Sequence, residues 1–196
     1  VTDCETVLQK SLYSQLSCLF AEEKISTVYL ETASVTLDFF GELSRKLGGI
    51  SVSSDSRIQR FILKQRSIKS AEEAGKIKAA QKMTDETFSY ILDRIAAGRT
   101  EREVMLDMEF FMRRLGSEGT AFDFIVVSGR NSSLPHGVPT DKKIQKGDFV
   151  TMDFGAVCGG YRSDMTRTVA VGGVSEKQRN VYETVLAAQK KTIEFI

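Results

Sequence analysis

The residues of this chain whose types and spacing together best suit chemistry lie between positions 134 and 168. The stretch LPHGVP, residues 134–139, contains the chain's one histidine, His136, and both of its prolines. Among the aspartates that follow, Asp153 lies in MDFG and Asp164 in RSDMTRT. An imidazole can transfer a proton or contact a substrate, and carboxylates can bind a cation. We therefore take these three residues as the first candidates for a functional site.

A predicted β-hairpin brings the two aspartates together. Gly159-Gly160 is a two-residue turn signal between two segments of alternating apolar and polar residues. Such a turn pairs residues whose numbers add up to 319, which places Asp164 opposite Gly155. Asp164 then lies one diagonal step from Asp153, about 7–8 Å away between Cα atoms. The same face of the hairpin also carries Thr151, Arg162, Thr166 and Thr168.

The pattern alone leaves two interpretations of this polar face open. An antiparallel sheet commonly exposes one polar face to solvent, but such a face tends to carry long Lys and Glu side chains. This one carries Asp and Gly, which strands disfavour. Two neighbouring carboxylates repel each other unless a cation or a proton lies between them. Oxygen-only ligands would suit Mn²⁺, Mg²⁺ or Ca²⁺, and two aspartates would need further ligands to complete a metal site.

Helix signals on both sides of this segment predict the elements that position it. Three capping boxes, in which two side chains satisfy the free backbone N–H groups of a helix start, pair Ser70 with Glu73, Thr100 with Glu103 and Ser175 with Gln178. They predict helices of about 27, 15 and at least 20 residues, the first two ending at Gly98 and Gly116. The stretch FDFIVVSG predicts a mostly buried strand before the LPHGVP loop.

The residues before Ser70 predict a separate α/β unit. Apolar residues at helical spacing predict helices over 7–20 and 35–47, and strands are predicted over 25–30 and 50–54. The basic, mixed stretch 55–67 is interpreted as a connector. The whole chain is therefore assigned to the α/β (α+β) class.

The composition excludes several classes of partner. The 196 residues include 27 basic and 26 acidic side chains, a net charge of +1, which gives no electrostatic reason to expect nucleic acid or an anionic membrane. No apolar run is long enough to span a bilayer, and no signal peptide is evident. Three cysteines form no disulfide framework, so we expect a cytoplasmic protein.

The segment from Ser128 to Gly172 resembles part of a known enzyme family. It reads SGRNSSLPHGVPTDKKIQKGDFVTMDFGAVCGGYRSDMTRTVAVG and is similar to the first half of the catalytic domain of an Xaa-Pro peptidase of the pita-bread superfamily. The resemblance rests on the Pro-His loop, the DFG aspartate and the SDMTRT aspartate in that order. It implies a partial creatinase-type N-terminal α/β domain with connector over 1–66 and the first half of a pita-bread peptidase domain over 67–196.

The resemblance also implies a role for each matching residue. Asp153 matches an aspartate that binds one metal through both oxygens, and Asp164 a carboxylate shared by two metals. His136 resembles a histidine that contacts the substrate near the scissile carbonyl, and Thr166 resembles a residue that supports the ligands. The implied cofactors are two divalent metal ions, with Mn²⁺ favoured and Co²⁺ or others accepted. The implied substrate is a proline-containing peptide cleaved before proline, and the implied assembly is a homodimer.

The match is incomplete, which leaves other functions open. The remaining ligands of the family, one His and two Glu, belong to a second half that has no counterpart in these 196 residues. We therefore expect a fragment, truncated at both ends and inactive as this isolated chain. The main alternative is a non-catalytic pita-bread protein-binding module. A metal-free hydrolase such as creatinase fits less well because both aspartates are present, and the preceding α/β unit disfavours methionine aminopeptidase.

Overall fold

The computed structural model describes residues 11–196, and the chain divides into two compact units, Val1–Lys69 and Ser70–Ile196. Both units combine helices with short strands, in agreement with the predicted α/β class. The division lies close to the predicted boundary between residues 66 and 67. The assignment of the first unit to a creatinase-type domain stays a prediction.

The first unit is built around two parallel strands. Helix α1 (Leu12–Glu22) is followed by β1 (Thr27–Tyr29), α2 (Leu37–Lys46) and β2 (Ser51–Ser53). The two strands pair in parallel with Val28 beside Val52, and α2 forms the crossover between them. The predicted order of helices and strands is confirmed, while the predicted helix start near Val7 lies outside the described residues.

The stretch interpreted as a connector is largely helical. Residues Arg57–Ser67 form helix α3. The segment contains no Gly or Pro, and its Arg, Lys, Gln, Ile and Leu residues include several strong helix formers. Helix propensity therefore outweighs the lack of a clear apolar stripe.

The second unit contains the three helices with capping boxes, α4 (Ala71–Leu92), α5 (Glu101–Arg114) and α6 (Glu176–Phe195). All three predicted boxes are present. Helix α4 ends five residues earlier than predicted, because Gly98 lies in the turn before α5, where its N–H donates to the Ile144 carbonyl. No helix within residues 11–196 is both long and apolar enough to cross a membrane.

Five strands complete this unit: β3 (Ile125–Ser128), β4 (Phe149–Phe154), β5 (Val157–Cys158), β6 (Tyr161–Arg162) and β7 (Met165–Ala170). Strands β3, β4 and β7 form an antiparallel sheet in that order, and β5 and β6 form the tip of the predicted hairpin. Asp153 pairs with Thr166, and Cys158 pairs with Tyr161. Both pairs add up to 319, so the predicted register is confirmed.

The opposite face of β4 belongs to the core and holds this register in place. Val150, Met152, Phe154 and Ala156 are fully buried in one cluster with residues of α4 and α5, among them Ala80, Ile91 and Met108. Burying each large apolar side chain stabilises the fold by about 1.5–3 kcal/mol. Since a slip by one residue would exchange the two faces of β4, this core directs Asp153 to the polar face.

Candidate metal centre

The two predicted aspartates meet on the polar face of the hairpin. Asp153 lies near the end of β4, and Asp164 precedes the first residue of β7. Their carboxyl groups are close enough to hydrogen-bond to each other. The Oδ1 atom of Asp153 is buried and has no hydrogen-bond partner among the described residues. A buried carboxylate oxygen without a donor is unfavourable unless something else binds it.

The proximity of the pair changes the acidity of Asp164. Partial burial of its carboxyl raises the pKa of Asp164, and the neighbouring Asp153 raises it further through charge repulsion and a hydrogen bond. The residue as a whole remains solvent-exposed. The pair therefore holds a proton more readily than an isolated aspartate would. A divalent cation could neutralise the same repulsion.

We predict that this repulsion makes the metal-free chain respond to pH. A carboxyl whose pKa is higher in the folded chain stabilises the fold below its unfolded pKa, and this contribution is lost as pH rises through the folded pKa. In Asp164→Asn the side chain cannot ionise, so the variant should gain stability relative to wild type as pH rises from about 4 to 7. Thermal unfolding with a chelator present measures the difference. The surface variant Asp85→Asn should show no such trend, and a trend of equal size in it would contradict the prediction.

A close approach of the two strands at Gly155 brings the aspartates together. A Cβ atom at this position would lie 1.9 Å from the carbonyl oxygen of Ser163 and 3.0 Å from the Ala121 side chain. The Ser163 N–H donates to the Ala156 carbonyl at 3.0 Å across the same junction. Only glycine allows the backbone to approach this closely. The sequence places Gly155 opposite Asp164 on this unusual polar face, but it does not predict this close contact with the Ser163 backbone.

A buried hydrogen-bond pair anchors the residue next to Asp164. The Ser163 hydroxyl lies 2.7 Å from the Thr84 hydroxyl of α4 and accepts from the Ala156 N–H at 2.9 Å. Both hydroxyl-bearing residues are buried. This connection fixes the start of β7 relative to α4. Sequence reasoning missed it, because a small polar residue on each of two distant elements gives no signal that they pair.

The LPHGVP loop lies over the same face of the sheet as the aspartates. A Cβ at Gly137 would lie 2.7 Å from Cγ1 of Val127 in β3. Val127 pairs with Thr151, just as Ile125 pairs with Asp153, so these side chains share one face. His136 itself is exposed, and its imidazole has no hydrogen-bond partner within the described residues. The LPHGVP loop and the aspartate pair therefore lie on one surface.

The remaining polar residues of this face have different surroundings. Thr166 lies directly across from Asp153 and is exposed, and its role in supporting the metal ligands stays a prediction. Thr151 and Thr168 bind each other through their hydroxyls at 2.9 Å. The guanidinium of Arg162 donates to the Ala121 carbonyl.

The donor set of Asp153 and Asp164 fits a hard divalent cation. The two carboxylates supply oxygen ligands, and the unpartnered Oδ1 of Asp153 is free to accept a metal ion. Within residues 11–196, no group of three or more His, Cys, Asp or Glu side chains is arranged to hold a metal. Because the described residues place no third such ligand beside them, Asp153 and Asp164 can supply only part of a metal site.

Comparison with known proteins identifies the family to which this chain belongs. The family model for metallopeptidase family M24 matches residues 75–196. An Xaa-Pro dipeptidase of Pyrococcus horikoshii is 40% identical over 174 residues, which cover 89% of this chain and 48% of that protein. The X-Pro aminopeptidase structure from Thermotoga maritima superposes with a TM-score of 0.87 at 35% identity, covering 96% of this chain and 53% of that one. The prolidase from Pyrococcus furiosus gives 0.84 at 36%, with 96% and 53% covered.

These matches confirm the predicted resemblance and fold class. They also show that the chain spans about half the length of the curated relatives it matches.

Proposed function

The chain belongs to metallopeptidase family M24, and from that premise we propose that it carries part of the active site of a dinuclear metal-dependent peptidase that cleaves the bond before proline. The observation that carries the proposal is the adjoining Asp153 and Asp164 pair, in which one buried oxygen lacks a partner among the described residues. A binding module without a metal would gain nothing from two carboxylates that repel each other. A metal site makes use of both.

Asp153 and Asp164 hold the metal ions in this proposal. When bound, two divalent ions would act as Lewis acids and activate a water molecule for hydrolysis. Oxygen ligands favour a hard cation, so we propose Mn²⁺, with Co²⁺ or another divalent ion as a substitute. Thr166, opposite Asp153, lies where it could orient that carboxylate. The rest of the ligand set would come from a second half like that of the relatives, which are about twice as long as this chain.

His136 is proposed to contact the substrate near the scissile carbonyl. Its imidazole is exposed and has no partner within the described residues, so it is available to donate a hydrogen bond to a substrate. Such a donor stabilises the negative charge that develops on the carbonyl oxygen during hydrolysis. The buried Gly137 beside it keeps the loop against β3.

The proposed substrate is a peptide with proline in the second position. The relatives named above are an Xaa-Pro dipeptidase, an X-Pro aminopeptidase and a prolidase, so the shared chemistry is the bond before proline. That bond is a tertiary amide without an N–H group. We propose further that the peptidase works as a cytoplasmic homodimer and that the 196-residue chain alone is inactive. Free thiols at Cys18 and Cys158 suit a reducing compartment.

The test is an assay of Xaa-Pro peptide cleavage with Mn²⁺, on this chain and on the whole protein that contains it. We expect activity in the whole protein alone. We expect His136→Ala to lower its kcat about 10²- to 10³-fold without changing bound Mn²⁺, because the variant removes one donor to the developing charge. The exposed Lys146→Ala is the matched control. Full activity in His136→Ala would remove the histidine from the mechanism, and metal binding without cleavage would favour the binding module.

A further inference from the structure

Glu101, the first residue of α5, is a fully buried carboxylate that binds two separate parts of the chain. Its Oε1 accepts from the backbone N–H of Ser128 at 2.7 Å, from the Ser128 hydroxyl at 2.8 Å and, at 3.4 Å, from Asn131. Its Oε2 accepts from the backbone N–H of Thr140 at 3.1 Å and from the Thr140 hydroxyl at 2.7 Å. Each oxygen thus serves a different segment.

Those two segments are the ends of the histidine loop, which we define as residues 129–139. Ser128 is the last residue of β3, and Thr140 directly follows Pro139. The loop begins with a short 3₁₀ helix over Gly129–Ser133 and continues through His136. One carboxylate therefore closes the loop by holding both of its ends. A closed loop has lost most of its conformational freedom before any substrate arrives.

A cation supports this arrangement from one side. Lys142 donates to the Ser128 hydroxyl at 2.7 Å and to Asp148 at 2.9 Å. Burial raises the pKa of Glu101, but the hydrogen bonds from Thr140 and Ser128 lower it by more, so the net pKa lies below the ordinary value. Glu101 is therefore a carboxylate at neutral pH, which makes its hydrogen bonds stronger than those of a neutral acceptor.

Two residues of the histidine loop are buried, whereas its histidine is exposed. Gly137 and Pro139 are buried, and a Cβ at Gly137 would overlap Val127. His136 lies between the exposed Leu134 and these two buried residues. It makes no hydrogen bond within the described residues. The position of the imidazole is therefore set by the backbone of the loop. That backbone is in turn set by its ends and by the contact with β3.

We propose that Glu101 is a positioning residue of the peptidase, which fixes His136 relative to the Asp153 and Asp164 pair by binding both ends of the histidine loop. The proposal rests on the proposed function for its catalytic consequence. Its structural part, the closure of the loop by one side chain, can be tested independently of activity.

The first test uses Glu101→Gln in this chain. A Gln side chain keeps one acceptor oxygen but turns an NH₂ group toward one set of donors, so one end of the loop loses its partner. We expect amide hydrogen exchange at Thr140 or Ser128, and at Gly137, to accelerate at least tenfold. Exchange in the β4–β7 ladder should stay unchanged. The single histidine gives one set of imidazole NMR signals, which should shift or broaden in the variant.

Glu103→Gln is the matched control, because Glu103 lies in the same first turn and its Oε2 accepts from the Thr100 N–H in the capping box. A Gln preserves that box and touches no part of the loop. Equal loop exchange in Glu101→Gln and Glu103→Gln would overturn the proposal. Should Glu101→Gln fail to fold, Thr140→Val decides instead, because at this exposed residue it removes the 2.7 Å bond to Glu101, together with the 3.2 Å bond that the Thr140 hydroxyl accepts from the Lys142 N–H. Unchanged loop exchange in that variant would also overturn it.

The second test measures activity in the whole metal-loaded protein. Glu101→Gln should lower kcat for an Xaa-Pro peptide at least tenfold, with bound Mn²⁺ per chain unchanged. A kcat equal to that of Glu103→Gln would contradict the positioning role even if the loop loosens. If the wild-type protein cleaves no Xaa-Pro peptide, the proposed function fails, while the exchange measurement still decides whether Glu101 holds the loop.

Discussion

Asp153→Asn should abolish the thermal stabilisation of this chain by Mn²⁺. Replacing one carboxylate oxygen by an NH₂ group removes charge and a ligand atom from the pair that would hold the ion. For the wild-type chain, Mn²⁺ at ten times its dissociation constant should add about 1.4 kcal/mol of stability. That gain corresponds to a rise in Tm of roughly 3–5 °C for a chain of this size. Differential scanning fluorimetry with and without Mn²⁺ measures the shift.

Asp164→Asn should also lose the thermal stabilisation by Mn²⁺, and it should show a second effect. Because its carboxyl is repelled by Asp153, the metal-free variant should be more stable than wild type at neutral pH. Loss of the Mn²⁺ response together with a raised metal-free Tm distinguishes a broken metal site from a damaged fold. Asp85→Asn, an exposed residue on α4, should respond to Mn²⁺ as wild type does. A normal Mn²⁺ response in both Asp153→Asn and Asp164→Asn would show that the ion binds elsewhere.

Gly155→Ala should destabilise the second unit and separate the two aspartates. The added Cβ would lie 1.9 Å from the Ser163 carbonyl oxygen, and the obstacle is backbone that cannot rotate away. Overpacking of this kind costs about 1–3 kcal/mol or more, which lowers Tm by roughly 3–10 °C. Since the strands must move apart where Asp153 and Asp164 meet, the Mn²⁺ response should also disappear. Both effects are measured in the same fluorimetry experiment.

Gly173→Ala is the matched control for that experiment. A Cβ at Gly173 meets nothing within 4 Å, and this glycine does not have a positive φ. We expect its Tm and its Mn²⁺ response to stay within about a degree of wild type. If Gly155→Ala had the same Tm and Mn²⁺ response as this control, the strands could move apart at the aspartate pair without loss of stability or metal binding. The prediction would then be wrong.

Much of the local structure could be predicted from the sequence because the signals are local. The capping boxes at Ser70, Thr100 and Ser175 each depend on residues three positions apart, and all three are present. The hairpin register depends on the Gly159-Gly160 turn and on one apolar face, and it is confirmed to the residue. These features need no information about distant parts of the chain.

The sequence by itself therefore determined which residues could bind a metal and that Asp153 and Asp164 share one face of a hairpin. Only the tertiary structure decided what holds that face and the histidine loop in place. The sequence marks Glu103 as the capping-box partner of Thr100, whereas Glu101 is only another acidic residue of the same helix start. The fold buries Glu101 between Ser128 and Thr140, which are 27 and 39 residues away along the chain. Such contacts depend on how helix and sheet pack, and no local pattern encodes them.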